Sequence, residues 1–146
     1  MKKLFYIFTA SLLIAVGCTK DASKVMNQLS GDWHYAAEEN GVKEDIWISF
    51  SEDGTFEMFQ KIGDGPYWYT SGEFEYDADS KVLSGIYSDR YPWKYTYAIT
   101  LTDKTLQMTA VELASHSVTY TRESIPAQVR EKSLPLTKAE AVERYL

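Results

Sequence analysis

Between Gly31 and Ser124 the chain alternates apolar and polar residues in one short run after another, a period of two that points to antiparallel β-structure. Trp93–Leu101 is the cleanest run. Trp93, Tyr95, Tyr97, Ile99 and Leu101 share one face; Lys94, Thr96, Ala98 and Thr100 share the other. Asp45–Phe50 groups Ile46, Ile48 and Phe50. Thr55–Ile62 groups Phe56, Met58 and Ile62, and Trp68–Tyr76 groups Trp68, Phe74 and Tyr76. Shorter runs at Trp33–Glu38, Val82–Tyr87, Leu106–Val111 and Val118–Arg122 bring the count to eight. Glu52-Asp53-Gly54, Asp77–Ser80 and Asp103-Lys104 carry tight-hairpin chemistry after the second, fourth and sixth runs. The connections Glu39–Glu44, Gly63–Pro66, Ser88–Pro92 and Glu112–Ser117 read as longer. Alternate connections of an up-and-down meander lie at opposite ends. The expected architecture is therefore a single all-β, eight-stranded antiparallel barrel, closed at one end by tight turns and open at the other.

The flanking segments are different in kind. Lys2 and Lys3 precede an uncharged run, Leu4–Val16, followed by Gly17, Cys18 and the polar Thr19-Lys20-Asp21. A basic start, a short apolar core and small residues behind it describe an export signal. The run falls short of the roughly 20 apolar residues of a spanning helix, which sets a cleaved signal above an uncleaved anchor. Ala15-Val16-Gly17-Cys18 resembles the cleavage box of bacterial lipoproteins at Gly17 and Cys18, and departs from it at Ala15, where the family prefers Leu. That resemblance implies a signal peptide over 1–17, Cys18 as the lipidated first residue of the mature protein, and firm anchoring through two or more acyl chains. Thr19 stands where the family places the Asp that retains lipoproteins in the inner membrane, so the outer membrane of the cell envelope is the expected location.

Residues 18–29 then form a polar leader, with a short helical stretch around Ala22–Leu29, and 30–124 the barrel. The tail, 125–146, holds two helical signals: Ile125–Lys132 with Pro126 at its start, and a capping box, Thr137-Lys138-Ala139-Glu140, leading into Ala141–Leu146. The last helix is expected to be frayed or loosely docked, as termini often are. Cys18 is the single cysteine, so no disulfide forms within the chain and the fold stands on its core. The net charge of -6, which becomes -8 without Lys2 and Lys3, argues against nucleic acid as a partner. No cofactor is implied, and a monomer is expected.

Leu29-Ser30-Gly31-Asp32-Trp33 places a Gly-x-Trp where the first strand begins, and Tyr120-Thr121-Arg122 ends the last one. Together these resemble the lipocalin, or calycin, pattern. In that family the Trp packs at the closed end and an Arg from the end of the last barrel strand lies across its ring, a role that passes here to Trp33 and Arg122 with Gly31. The body, shorter than a true lipocalin and without a clear Thr-Asp-Tyr motif, resembles the lipocalin-like domains of small bacterial lipoproteins.

The topology sends Trp68, Trp93, Tyr67, Tyr69, Tyr87 and Tyr91 towards the mouth, a candidate site for a small, partly apolar ligand or a sugar face. The alternative is a barrel filled by its own side chains, since eight strands enclose only enough room for them. Such a barrel would be an interaction module touching protein or glycan through its loop aromatics. No catalytic set stands out. His34 and His116 are far apart with no metal-ligand spacing, and Ser115-His116-Ser117 reads as a polar turn. The expected function is non-enzymatic binding at a membrane surface.

Overall fold

The computed structural model describes residues 16–137 and 142–146. The chain opens with helix α1 (Val16–Leu29) and continues through β1 (Gly31–Glu39), β2 (Val42–Phe50), β3 (Thr55–Ile62), β4 (Trp68–Asp77), β5 (Val82–Tyr87), β6 (Tyr97–Leu101), β7 (Thr105–Ala110) and β8 (Ser117–Arg122). A short helix α2 (Ala127–Lys132) and a two-residue strand β9 (Leu134–Pro135) follow. Each of the eight main strands pairs antiparallel with its sequence neighbour. β8 returns to β1 through Trp33↔Arg122 and His34↔Thr121, and this seam closes the barrel. The expected eight-stranded all-β barrel is what forms.

Alternation decides which side chains enter it. Trp33, Ile46, Ile48, Phe50, Phe56, Met58, Phe74, Leu83, Leu106, Met108 and Tyr120 are all buried in one core cluster. Burial of this kind supplies roughly 1.5–3 kcal/mol for each large apolar side chain. A second, smaller cluster lies on the outer wall, where Trp47 and Phe59 meet Ile125 and Val129 of the segment that includes α2.

At the closed end the tight turns form as their residues dictate. Asp53 accepts from the Thr55 amide (3.0 Å) and hydroxyl (2.6 Å), and Asp77 accepts from the Asp79 amide (2.9 Å) and the Ser80 hydroxyl (2.7 Å). α1 caps this end. Its Leu29 is fully buried and its Met26 packs on the core. The segment read as a polar leader is thus helical along its described length, further than the Ala22–Leu29 expected. The export signal 1–17 lies outside the described residues except for Val16 and Gly17.

Three expectations are corrected at the other end. Glu39–Glu44 is no long loop: β1 and β2 run to Glu39↔Val42 around the two-residue turn Asn40-Gly41. Both turn residues have positive φ (52° and 79°), the geometry that Asn-Gly favours in hairpins. β6 begins at Tyr97 rather than Trp93, because Trp93 leaves the strand path and its amide bonds the Gly85 carbonyl (2.9 Å). The final segment is neither frayed nor helical over 142–146. Leu146 is 2% exposed and part of the core. The rest of the expected helix, 138–141, lies outside the described residues.

Candidate functional site

The closed end matches its sequence signature closely. The Arg122 guanidinium lies over the Trp33 ring at 4.1 Å. Its Nε donates to the Asp103 carbonyl (3.0 Å), and its two terminal nitrogens donate to the Ser30 (2.9 Å) and Gln28 carbonyls. Trp33 Nε1 donates to the Leu29 carbonyl (2.8 Å). Gly31 has a φ of 119°, and a Cβ there would sit 2.7 Å from an Arg122 nitrogen, so both backbone and space require glycine. One arginine thereby ties the end of α1, the β6–β7 turn and the last strand together. The role is structural.

The six aromatics expected at the mouth do not converge. Trp93 is 5% exposed, with its indole laid against Gly85, where a Cβ would come within 2.3 Å of the ring. It packs edge-on to Phe56 (5.1 Å) and Tyr97 (6.1 Å). Tyr87 is buried beside it, 5.8 Å from Phe56. Burial holds its phenol well above the usual tyrosine range. Tyr91 is exposed on the β5–β6 loop. Trp68, half-buried, stands across from Gln60 at the rim. Tyr67 and Tyr69 point to the other side of the wall and join the Trp47–Phe59 cluster. The interior half of the site is occupied by the Trp93 and Tyr87 rings.

What closes the mouth is the segment 142–146. Gln60, fully buried on β3, donates from Nε2 to the Glu143 carbonyl (2.8 Å) and accepts at Oε1 from the Tyr145 amide (3.0 Å). Tyr87 Oη donates to the Leu146 backbone oxygen (2.8 Å). Arg144 makes a two-pronged ion pair with Asp89 and lies on the Tyr87 ring at 4.4 Å. Tyr145 packs near Tyr35 (6.1 Å) and His116 (6.5 Å). β9 supports the arrangement. Leu134 and Pro135 pair in parallel with Trp68 and Tyr69, along the part of β4 that lies beyond its pairing with β5. None of Gln60, Asp89, Arg144, Tyr145 or Leu146 stood out in the sequence. A buried amide inside an apolar alternation, Phe56-x-Met58-x-Gln60, was the available signal.

The two histidines serve different places. His116 lies among Tyr95 (5.5 Å), Tyr97 and Tyr145 at the mouth. His34 is on the outer wall, stacked on Trp47 at 3.7 Å, with one ring nitrogen bonded to Asp45 (2.8 Å) and the other to Glu123 (2.9 Å). Tyr67 Oη donates to the same Asp45, and burial together with that carboxylate pushes the phenol up to about 12. Both His34 nitrogens are engaged, so the cluster pins β1, β2 and the chain just after β8 rather than offering a free base or metal ligand.

The lipocalin-like domain model matches residues 23–108, more than half of the chain. This chain belongs to the lipocalin-like domain family. No curated protein and no solved structure matches it. A lipocalin-like barrel is suited to small-ligand binding or to a structural role, and the family is generally non-enzymatic. The family match stops at Met108. Arg122 and the mouth-closing segment lie beyond it, so the lipocalin-like tryptophan–arginine pair rests here on geometry.

Proposed function

We propose that this chain is a lipid-anchored, non-catalytic lipocalin-like protein of the bacterial cell envelope, held in the outer membrane through Cys18 and acting by contact at its mouth. The contact is with protein or glycan. The observation that carries this reading is the distribution of exposed apolar side chains. Val42, Ile62, Tyr91, Val111, Leu113 and Leu134 are the exposed large hydrophobics among the described residues, and all sit at the mouth end. A ring of apolar groups around one end of an acidic barrel marks an interaction surface. α1, which carries Cys18 in its first turn, lies at the opposite end. Anchoring there leaves the rim facing away from the membrane. The packed interior weighs against a ligand held deep in the barrel, and so favours the interaction module over the small-ligand carrier.

Two measurements in the producing cell test the reading. The parent should fractionate with membranes and a Cys18→Ala variant should not; equal partitioning contradicts the anchor. A rim variant, Val42→Ser/Val111→Ser/Leu113→Ser, should keep the parent's Tm yet release it from any larger assembly seen by native electrophoresis of gently solubilised envelopes. A parent that migrates with neither protein nor glycan bound contradicts the contact role.

A further inference from the structure

We propose that the mouth is a binding site for an extended peptide segment with an arginine two residues ahead of an aliphatic residue, and that residues 142–146 occupy this site in cis. The inference deepens the contact role above and rests on it, naming the partner as a protein rather than a glycan.

Gln60 and Thr70 are the buried polar side chains among the described residues, and both face this site. Burying an amide is costly unless both of its ends are hydrogen-bonded. A wall that only had to be solid would carry a leucine at position 60. Gln60 instead spends both ends on main chain, taking the carbonyl of one residue and the amide two residues on. Those are the groups a neighbouring strand would use, and they are common to any extended segment.

Selectivity comes from the flanking contacts. Asp89 receives the Arg144 guanidinium in a two-pronged pair, with the Tyr87 and Tyr91 rings at 4.4 and 5.8 Å beneath it. Two parallel charge-assisted bonds fit a guanidinium and no other side chain. Lys94 pairs with Glu143 at 2.8 Å, and Leu146 supplies the buried aliphatic anchor.

A second observation is that buried polar atoms stay unpaired with the segment in place. Among the described residues, Thr70 Oγ1, Trp93 Nε1 and Tyr97 Oη are buried with no hydrogen-bond partner. Residues 142–146 form neither helix nor strand and are held by side chains rather than by a ladder. They can leave without unpairing any barrel strand. A resident of this kind lowers the apparent affinity for an outside peptide in proportion to the fraction of time the mouth is vacant.

The probe is a fluorescein-labelled Val-Glu-Arg-Tyr-Leu peptide, followed by anisotropy against the full chain and against a full-length Arg144→Ala/Leu146→Ala variant with weakened cis contacts. The variant should keep the parent's near-ultraviolet circular dichroism and bind the peptide at least about tenfold more tightly than the parent. Adding Gln60→Leu should abolish that gain, and a scrambled peptide should not bind. A folded variant that ignores the peptide overturns the proposal, as does equal binding of the scrambled sequence. So does a variant that fails to fold, because an exchangeable resident cannot be what holds the barrel up. A dimer with exchanged segments would replace the partner protein by a second copy and likewise overturn it. Failure of peptide binding with the rim-dependent assembly intact refutes this inference alone; loss of that assembly with peptide binding intact refutes the contact role in the envelope.

Discussion

The two ends of this barrel are closed by different means. At the closed end, Arg122 is fixed by the seam between β8 and β1 and reaches three carbonyls while covering Trp33. Trp33 and Arg122 belong to that seam and cannot move without opening the barrel itself. At the mouth, closure is by an added segment whose backbone is gripped by one glutamine and one tyrosine, and whose side chains make an ion pair and an apolar plug. A barrel can thus share one core and still hold one end through its strands and the other through a latch. The latch is the part available for exchange.

Replacing Trp33 by alanine should produce the largest loss of stability. The ring is fully buried under Arg122, and such truncations cost about 3–5 kcal/mol. Urea unfolding reads this directly, and a smaller loss than from any mouth substitution would reverse the comparison. Gly85→Ala comes next. The new methyl would overlap the Trp93 indole, a strain worth about 1–3 kcal/mol. Tryptophan emission should shift to the red as the ring is displaced, and an unshifted spectrum would mean that the wall yields instead. Gln60→Leu should cost only about 1 kcal/mol globally, because the freed backbone groups of 142–146 regain water. Its amides should nonetheless lose protection from exchange, and unchanged protection would show that the segment does not depend on Gln60.

The smallest effect concerns alkaline pH. Tyr67 on the outer wall, with its phenol raised to about 12 from 10.0, the buried Tyr87, Tyr97 and Tyr120, and the half-buried Tyr145 all hold their protons more tightly when folded. Their contribution is complete below pH 10 and is lost as the pH rises through the folded values. Stability should therefore be insensitive to these groups at neutral pH and decline above pH 10. Tyrosinate absorbance that completes its rise near pH 10 with the fold intact would contradict this.

The closed end was legible in the sequence and the mouth was not, for a physical reason. Gly31 and Trp33 are two residues apart, Arg122 ends a clear alternation, and Asp53-Gly54 and Asp77–Ser80 carry their turn chemistry within a few residues. The mouth depends on pairs separated by 83 and 59 residues, Gln60 with Glu143 and Tyr87 with Leu146. In both, a side chain meets backbone, which leaves no trace in the partner's identity. Trp93 misled because Trp93-x-Tyr95-x-Tyr97 copies a strand pattern. The open face of Gly85 is what draws the indole inward. Asn40-Gly41 is a hairpin turn whose local signal lies inside the polar stretch Glu39–Glu44. The Tyr67–Asp45–His34–Glu123 cluster joins four segments and has no local signature.

Native-state hydrogen exchange of the intact chain, followed at increasing sub-denaturing urea, tests the unequal ends most directly. The Tyr145 amide, bonded to Gln60, should exchange through a local opening whose free energy is low and hardly changes with urea. The amides of Trp33 and Arg122 should exchange only through global unfolding, with a steep urea dependence. If the Tyr145 amide shares the free energy and the slope of the closed end, residues 142–146 are a fixed part of the barrel, and the account of a latched mouth is wrong.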